Sequence, residues 1–277
     1  MDCGRYMTGT DGMKELSRAG NDDRRERNEG LIARLSNRIT AVMEPIDDGV
    51  HVRVHGELGD GGRAQLRTVL SAALLDHVWA VVELSGLRLT QSEAVTVFAS
   101  ALARAGGWPS ARMVLVGADG RMKAALRSTA VDEFIGTAST VGEAHRLLGR
   151  RPCCVSREDD LPAGELAIEL ARELTRNACL AWDVLGLGER AEMAATELID
   201  SVLVPLPREC TLRLTLTPAG LYVALYDPIP VGDAELRRMR IGNGPRSPLR
   251  PLTGIAADSG VHRHYQGKIV WVLLALP

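Results

Sequence analysis

Between residues 44 and 150 the apolar positions change period several times, and each change marks an element. HVRVHGEL, residues 51–58, alternates apolar and polar, the period of a strand with one buried face. RAQLRTVLSAALLDHV then repeats its apolar residues at three and four, the period of an amphipathic helix. WAVVELSG is a short β-branched run, SEAVTVFASALARAGG is helical and closes on glycine, and ARMVLVGA reads as a buried strand. RMKAALRST and TVGEAHRLLGRR add two helices around a short FIGT strand. The alternation predicts an α/β unit whose sheet is largely parallel, with helices as the crossovers.

The pattern differs on either side of this unit. Residues 1–43 are polar and charged, with DDRRERNE at 22–29, and predict a flexible segment with too little apolar surface to offset the entropy of ordering. Inside it Leu31, Ile32, Leu35 and Ile39 fall at roughly helical spacing, which predicts a short helix over 29–42. RRPCCVSREDDLP, residues 150–162, reads as a charged hinge, with the linker itself set at 151–161. From 162 to 277 two amphipathic helices, AGELAIELARELTRNACLAWDVLG and ERAEMAATELIDSVL, come first. CTLRLTLTP and GLYVALYD then alternate as strands joined by a Pro-Ala-Gly hairpin signal. A long loop rich in Gly, Pro and Arg precedes strands near VHRHYQ and KIVWVLLAL, so this second unit predicts an α+β sandwich.

Composition narrows the classes of function. A chain of 277 residues, 45% apolar, suits two ordinary domains. The formal charge of −2, with Lys and Arg spread along the chain, argues against a protein built for direct electrostatic binding of nucleic acid. No run reaches the ~18 continuous apolar residues of a membrane span, and the first twenty residues lack the apolar core of a secretory signal, so a cytoplasmic protein is expected. The 5 cysteines (Cys3, Cys153, Cys154, Cys179, Cys210) show no CxxC spacing and no His companions at zinc-ligand distances. They read as reduced and structural, with no metal. His262 and His264 share one strand face without a third ligand, and Trp182 and Trp271 are expected in the second core.

Three stretches carry candidate chemistry. In TELIDSVL, 196–203, Glu197 and Ser201 lie one turn apart on a helix face with Asp200 beside them; a solvated helix face is the competing reading. Thr90-Gln91-Ser92-Glu93 has the spacing of a capping box. Arg237, Arg238, Arg240, Arg246 and Arg250 lie between 237 and 250 with no acidic residue among them. They form either a solvated loop or a place for an anion or an acidic partner.

Residues 50–150 resemble a STAS domain, the fold of bacterial anti-sigma-factor antagonists. The resemblance rests on HGELG at 55–59, VVELSGLRLTQSEA at 81–94 and VLVGA at 114–118. In that family a strand-to-helix junction reads Asp-Ser-Ser-Gly, and a partner kinase phosphorylates its second Ser. Here the junction is Gln91-Ser92-Glu93-Ala94, so the acceptor position holds Glu93. The resemblance implies a permanent negative charge in place of a phosphoserine, with Ser92 and Thr90 as the remaining possible acceptors.

Residues 162–277 resemble anti-sigma-factor kinases of the GHKL ATPase class, whose fold is a Bergerat-type α/β sandwich. ARELTRNACLAWDVLGL, TELIDSVL, LYVALYDPIP and the closing GKIVW carry that resemblance. Where the family has Glu-Leu-x-x-Asn-Ala, Glu197 keeps the activating Glu but Ser201 replaces the Asn that holds magnesium. Asp227 stands for the Asp that contacts adenine, although Pro228, Ile229 and Pro230 replace the glycines after it. The Gly-rich phosphate lid is replaced by SPLRPLTGI at 247–255, in which Pro248 and Pro251 lack donor N–H groups and Gly254 survives alone. The paired resemblance implies a degenerate ATP site, no cofactor, and a non-catalytic regulator in a partner-switching pathway. Its expected partners are a sigma factor, an anti-sigma factor or an antagonist, with no membrane involved. The alternative it implies is an active serine kinase using ATP and magnesium, with the fused STAS domain as substrate or regulator. A homodimer through exposed STAS surfaces remains open.

Overall fold

The computed structural model describes residues 31–36, 39–203, 208–240, 249, 252–264 and 267–276. Strands β1 (Leu31–Ser36), β2 (Ile39–Ile46), β3 (Gly49–Leu58), β4 (Trp79–Leu89), β5 (Arg112–Val116) and β6 (Gly136–Ala138) lie side by side in chain order. Pairing is antiparallel from β1 to β3 and parallel from β3 to β6, so the sheet is mixed. Helices α1 (Asp60–Asp76), α2 (Thr96–Arg104), α3 (Gly120–Ser128) and α4 (Val141–Leu148) make the connections.

Strand alternation decides which helix each face receives. Ala80 and Val82 of β4 and Met113 and Leu115 of β5 belong to the core with Leu66, Leu70, Phe98 and Met122 from α1, α2 and α3. Their neighbours Val81, Val114 and Val116 point the other way, onto Ala144 and Leu148 of α4. Local caps fix two helix starts: the Asp119 carboxylate accepts from Met122 N at 2.7 Å, and the Thr140 hydroxyl accepts from Glu143 N at 3.2 Å.

The helix expected over 29–42 is instead a pair of antiparallel strands. Ile39 and Ala41 are buried while Thr40 and Val42 are only half-buried, a period of two. β-Branched residues favour that pleated surface, and pairing with β3 supplies the backbone partners that an isolated helix would lack. The expected flexible segment therefore includes β1 and most of β2 of the first sheet.

Strands β7 (Val155–Leu161), β8 (Cys210–Thr217), β9 (Gly220–Asp227), β10 (Asp258–His264) and β11 (Gly267–Leu274) form a second sheet, antiparallel throughout, in the order β10-β11-β9-β8-β7. Helices α5 (Leu166–Ala181) and α6 (Gly188–Leu203) pack on each other and cover one face. Trp182, Leu198, Ile199, Val223 and Val270 sit at the centre of that core. Burial pushes the Cys179 and Cys210 thiols up to about 11, so both remain protonated and packed at neutral pH.

Three expectations for this half change. The charged stretch 151–161 contains the edge strand β7; its polar residues survive there because Arg157 pairs with Asp159 at 2.6 Å and Glu158 and Asp160 meet Arg104 from α2. Trp271 is half-buried on the opposite sheet face, where its Nε1 donates to His262 Nε2 at 2.7 Å, and it is not in the core. Residues 233–240 form a helix, α7 (Asp233–Arg240), so Arg237, Arg238 and Arg240 lie on it; Arg246 and Arg250 fall outside the described residues.

The two sheets are joined by contacts as well as by chain. Trp182 Nε1 donates to the Trp108 carbonyl at 2.9 Å, and Cys154 N and Sγ both donate to Glu133. Burial, then the Glu133 carboxylate, pushes the Cys154 thiol up to about 12.

Candidate functional site

The candidate residues fall into two groups on opposite halves of the molecule. The first lies where β4 ends, at the carboxyl edge of the parallel strands, a position where α/β sheets commonly present their functional loops. Ser92 and Glu93 occupy a single 3-10 turn, Ser92–Val95, that leads into α2, and both side chains are exposed. Glu93 is in the first turn, where the free N–H groups favour a negative charge.

The capping box expected at Thr90 and Glu93 does not form. Thr90 Oγ1 donates to the Leu58 carbonyl at 2.8 Å, tying the end of β4 to β3, and Gln91 takes the cap position without a side-chain cap bond. Gln91 instead bridges to α1, accepting from Asp60 N at 2.8 Å and donating to Asp60 Oδ2 at 3.1 Å. Thr96 Oγ1 donates to the Glu93 carbonyl at 2.8 Å and accepts from Arg63 Nη2 at 2.9 Å. The turn that carries Glu93 is thus tied to α1 through Gln91 before it and Thr96 after it, and among the described residues the Glu93 carboxylate forms no hydrogen bond or ion pair. A fixed anion on a rigid, exposed turn is suited to meeting a complementary cation on another surface.

The second group lies around α6 and β9. Glu197 is half-buried on α6 and, among the described residues, makes no hydrogen bond or ion pair; Asp200 is exposed. Ser201 is on the same helix, with its side chain outside the described residues. Gly254 is exposed and a Cβ there would meet nothing within 4 Å, so the position makes no use of glycine's freedom. Within the stretch 247–255, Ser247, Pro248, Arg250 and Pro251 lie outside the described residues, but Leu249 and Leu252 are buried in the second core.

Asp227 differs from the rest. It closes β9, is 0% exposed, and receives donors on both oxygens. Oδ1 accepts from Arg208 Nε at 3.0 Å and from Ile229 N at 3.0 Å; Oδ2 accepts from Arg208 Nη2 at 2.7 Å and from Lys268 Nζ. A carboxylate offers about four lone-pair sites, and these four donors fill them. Burial alone would raise its pKa, but Arg208, Lys268 and the Ile229 N–H outweigh that and hold it below the ordinary carboxylate value. Lys268 comes from β11 through the register that sets it opposite Asp227, and Gly267 beside it has no room for a Cβ, which would lie 2.0 Å from the Asp227 carbonyl oxygen.

Sequence reasoning named Asp227, and reached Lys268 only as part of the closing GKIVW, but not Arg208, which precedes β8 and carries no motif. Among the described residues no group of three or more His, Cys, Asp or Glu side chains could hold a metal ion, and no helix is long and apolar enough to cross a membrane.

No family model matches the chain, and no curated protein does. Among solved structures it is similar to an anti-sigma factor antagonist from Mycobacterium paratuberculosis, at 20% identity over 43% of this chain and 100% of that one, with a TM-score of 0.36. It is similar to the anti-sigma factor antagonist SpoIIAA in its unphosphorylated form, at 16% identity over 40% of this chain and 97% of that one, TM-score 0.32. It is also similar to the protein TM1081, at 19% identity over 39% of this chain and 88% of that one, TM-score 0.35.

Proposed function

We propose that the chain is a non-catalytic regulator of a partner-switching pathway that controls a sigma factor, working by protein–protein binding. The resemblance of both halves to components of such pathways supplies the class. The observation that carries the non-catalytic part is the saturation of Asp227. An adenine amino group needs a free acceptor, and Arg208, Lys268 and the Ile229 N–H leave none on this buried carboxylate. Opening the site would strand two cations away from their counter-charge. The residues at the matching positions therefore do not suit ATP and magnesium, and the second unit works as a binding surface.

Glu93 gives the first unit its part in this reading. Its carboxylate stands exposed where the related family carries its phosphoacceptor, so the surface would present the modified state permanently, with about one negative charge against −1.5 to −2 for a phosphoserine. Partners of stated kind are a sigma factor, an anti-sigma factor or an antagonist.

Titration calorimetry with ATP and magnesium tests the non-catalytic claim; no heat is expected, and micromolar binding would overturn it in favour of a serine kinase. Affinity capture from the source organism tests the other half. Recovery of a sigma-pathway protein, weakened by Glu93→Lys, is expected, and capture that yields none counts against the pathway assignment.

A further inference from the structure

The outer face of the second sheet is turned toward α1 and α2, and the two surfaces do not close completely. A cleft of about 550 Å3 remains, within the ~300–1,000 Å3 common for small-molecule sites. Arg63 and Arg67, one turn apart on α1, reach it from one side, and Arg213 of β8 reaches it from the other. Tyr226 of β9 and His264 of β10, edge to face with centroids 4.7 Å apart, form an aromatic corner, with Phe134 on the facing wall.

The charge in this cleft is unbalanced. Glu158 is the one carboxylate among its described lining residues, and it already accepts from Arg104 at 3.1 Å. Arg104 is itself neutralised by Glu158 and Asp160. Arg63 spends one nitrogen on Thr96 and stays 3.7 Å from Asp60. Arg213 donates to Ser156 Oγ at 3.3 Å and lies 4.0 Å from Glu158. Arg67 makes no hydrogen bond or ion pair among the described residues and meets Asp160 only through space. Guanidinium forks from two sides of one cavity, with donors to spare, suit a multi-oxygen anion.

We propose that this cleft binds a small phosphate-bearing molecule with a planar ring, its phosphate held by Arg63, Arg67 and Arg213 and its ring laid against Tyr226 and Phe134. Bound there, the ligand bridges both units and couples their relative placement to its concentration. The inference does not depend on the fate of the ATP-like site, because the residues of the two places are separate.

The test is titration calorimetry of the full chain with phenyl phosphate, inorganic phosphate and benzoate, none of which carries an adenine. Phenyl phosphate should bind more tightly than either of the others. Arg67→Glu and Arg213→Glu should each weaken it by about tenfold or more, with Arg67→Lys intermediate. Circular dichroism checks that each variant is folded; Arg67 is exposed, which makes it the safer of the two. No heat at millimolar phenyl phosphate, or binding unchanged in both Glu variants, overturns the site. Benzoate binding as tightly as phenyl phosphate overturns the phosphate assignment.

Discussion

Arg208 faces Asp227 with its whole fork, Nε to Oδ1 at 3.0 Å and Nη2 to Oδ2 at 2.7 Å, and the carboxylate between them is 0% exposed. The Arg208 and Lys268 side chains are themselves only 17% and 9% exposed, so little water screens the arrangement. Removing the shared anion takes this counter-charge away from Lys268, which is buried, and from Arg208, which is largely buried. Asp227→Ala should therefore cost about 3–5 kcal/mol, the usual penalty for breaking a buried pair from one side. Urea denaturation checks it, and a loss under about 1 kcal/mol would mean that water reaches the cations.

The same carboxylate sets an acid limit. The folded pKa of Asp227 lies below its ordinary value, and that of Asp160 is lowered chiefly by Arg104. A depressed folded pKa means that the unfolded chain takes up protons first on acidification. Stability from both groups is complete above the unfolded value of about 3.9 and is lost as pH falls through the folded values. Denaturation midpoints should be flat from about pH 7 to 5 and fall steeply below about pH 4. Substituting Asp160 by Asn, the exposed and safer change of the two, should flatten part of that slope.

These relationships mark the limit of what the sequence displays. Elements with a strong period were legible: the strand and helix alternation from 51 to 148 and the hairpin of β8 and β9 follow directly from spacing. β1 and β2 were not, because four apolar residues between 31 and 39 satisfy a helical period as well as two short strands do, and only β3 as a neighbour settles which wins. β7 was missed because Arg157, Glu158, Asp159 and Asp160 have the composition of a loop; their partner Arg104 lies 54 and 56 positions away from Glu158 and Asp160. Asp227 could be named from resemblance, but its saturation depends on residues 19 and 41 positions distant, brought together by sheet register.

Arg104 offers a measure of how firmly the two units are held. It donates to Glu158 at 3.1 Å and to Asp160, and its side chain is 33% exposed while that of Asp160 is 58% exposed. Water screens much of this pairing, so Arg104→Ala should cost only about 1 kcal/mol. Its second effect is more specific. Proteolysis near 150–154, where the chain passes between the units, should speed up; unchanged cleavage would show that the ion pairs are not what keeps the units together.

Gly107 gives a stronger lever at the same junction. Its φ is +62°, and a Cβ there would sit 2.0 Å from the Ser156 carbonyl oxygen of β7. A methyl group is excluded both by backbone conformation and by contact with a strand that cannot yield without leaving its sheet. Gly107→Ala should lower stability by about 2–4 kcal/mol and expose Trp182, whose indole is held by the neighbouring Trp108 carbonyl. Tryptophan fluorescence during urea denaturation reads both effects, and a wild-type emission spectrum with wild-type stability would contradict the close approach.

Glu93 separates structure from recognition. A working capping box would make Glu93→Ala cost about 1 kcal/mol, because two free N–H groups would lose their partners. Here the Thr90 hydroxyl is committed to Leu58 and the Glu93 carboxylate is exposed, leaving only an interaction with the first-turn N–H groups. Glu93→Ala should therefore shift stability by about 0.5 kcal/mol or less. The same substitution should weaken capture of a cationic partner surface, and Glu93→Asp should restore part of it, because charge rather than helix capping is the property used. A thermal melt and a binding assay on the same samples discriminate: a variant that loses stability as much as binding would return Glu93 to a structural role.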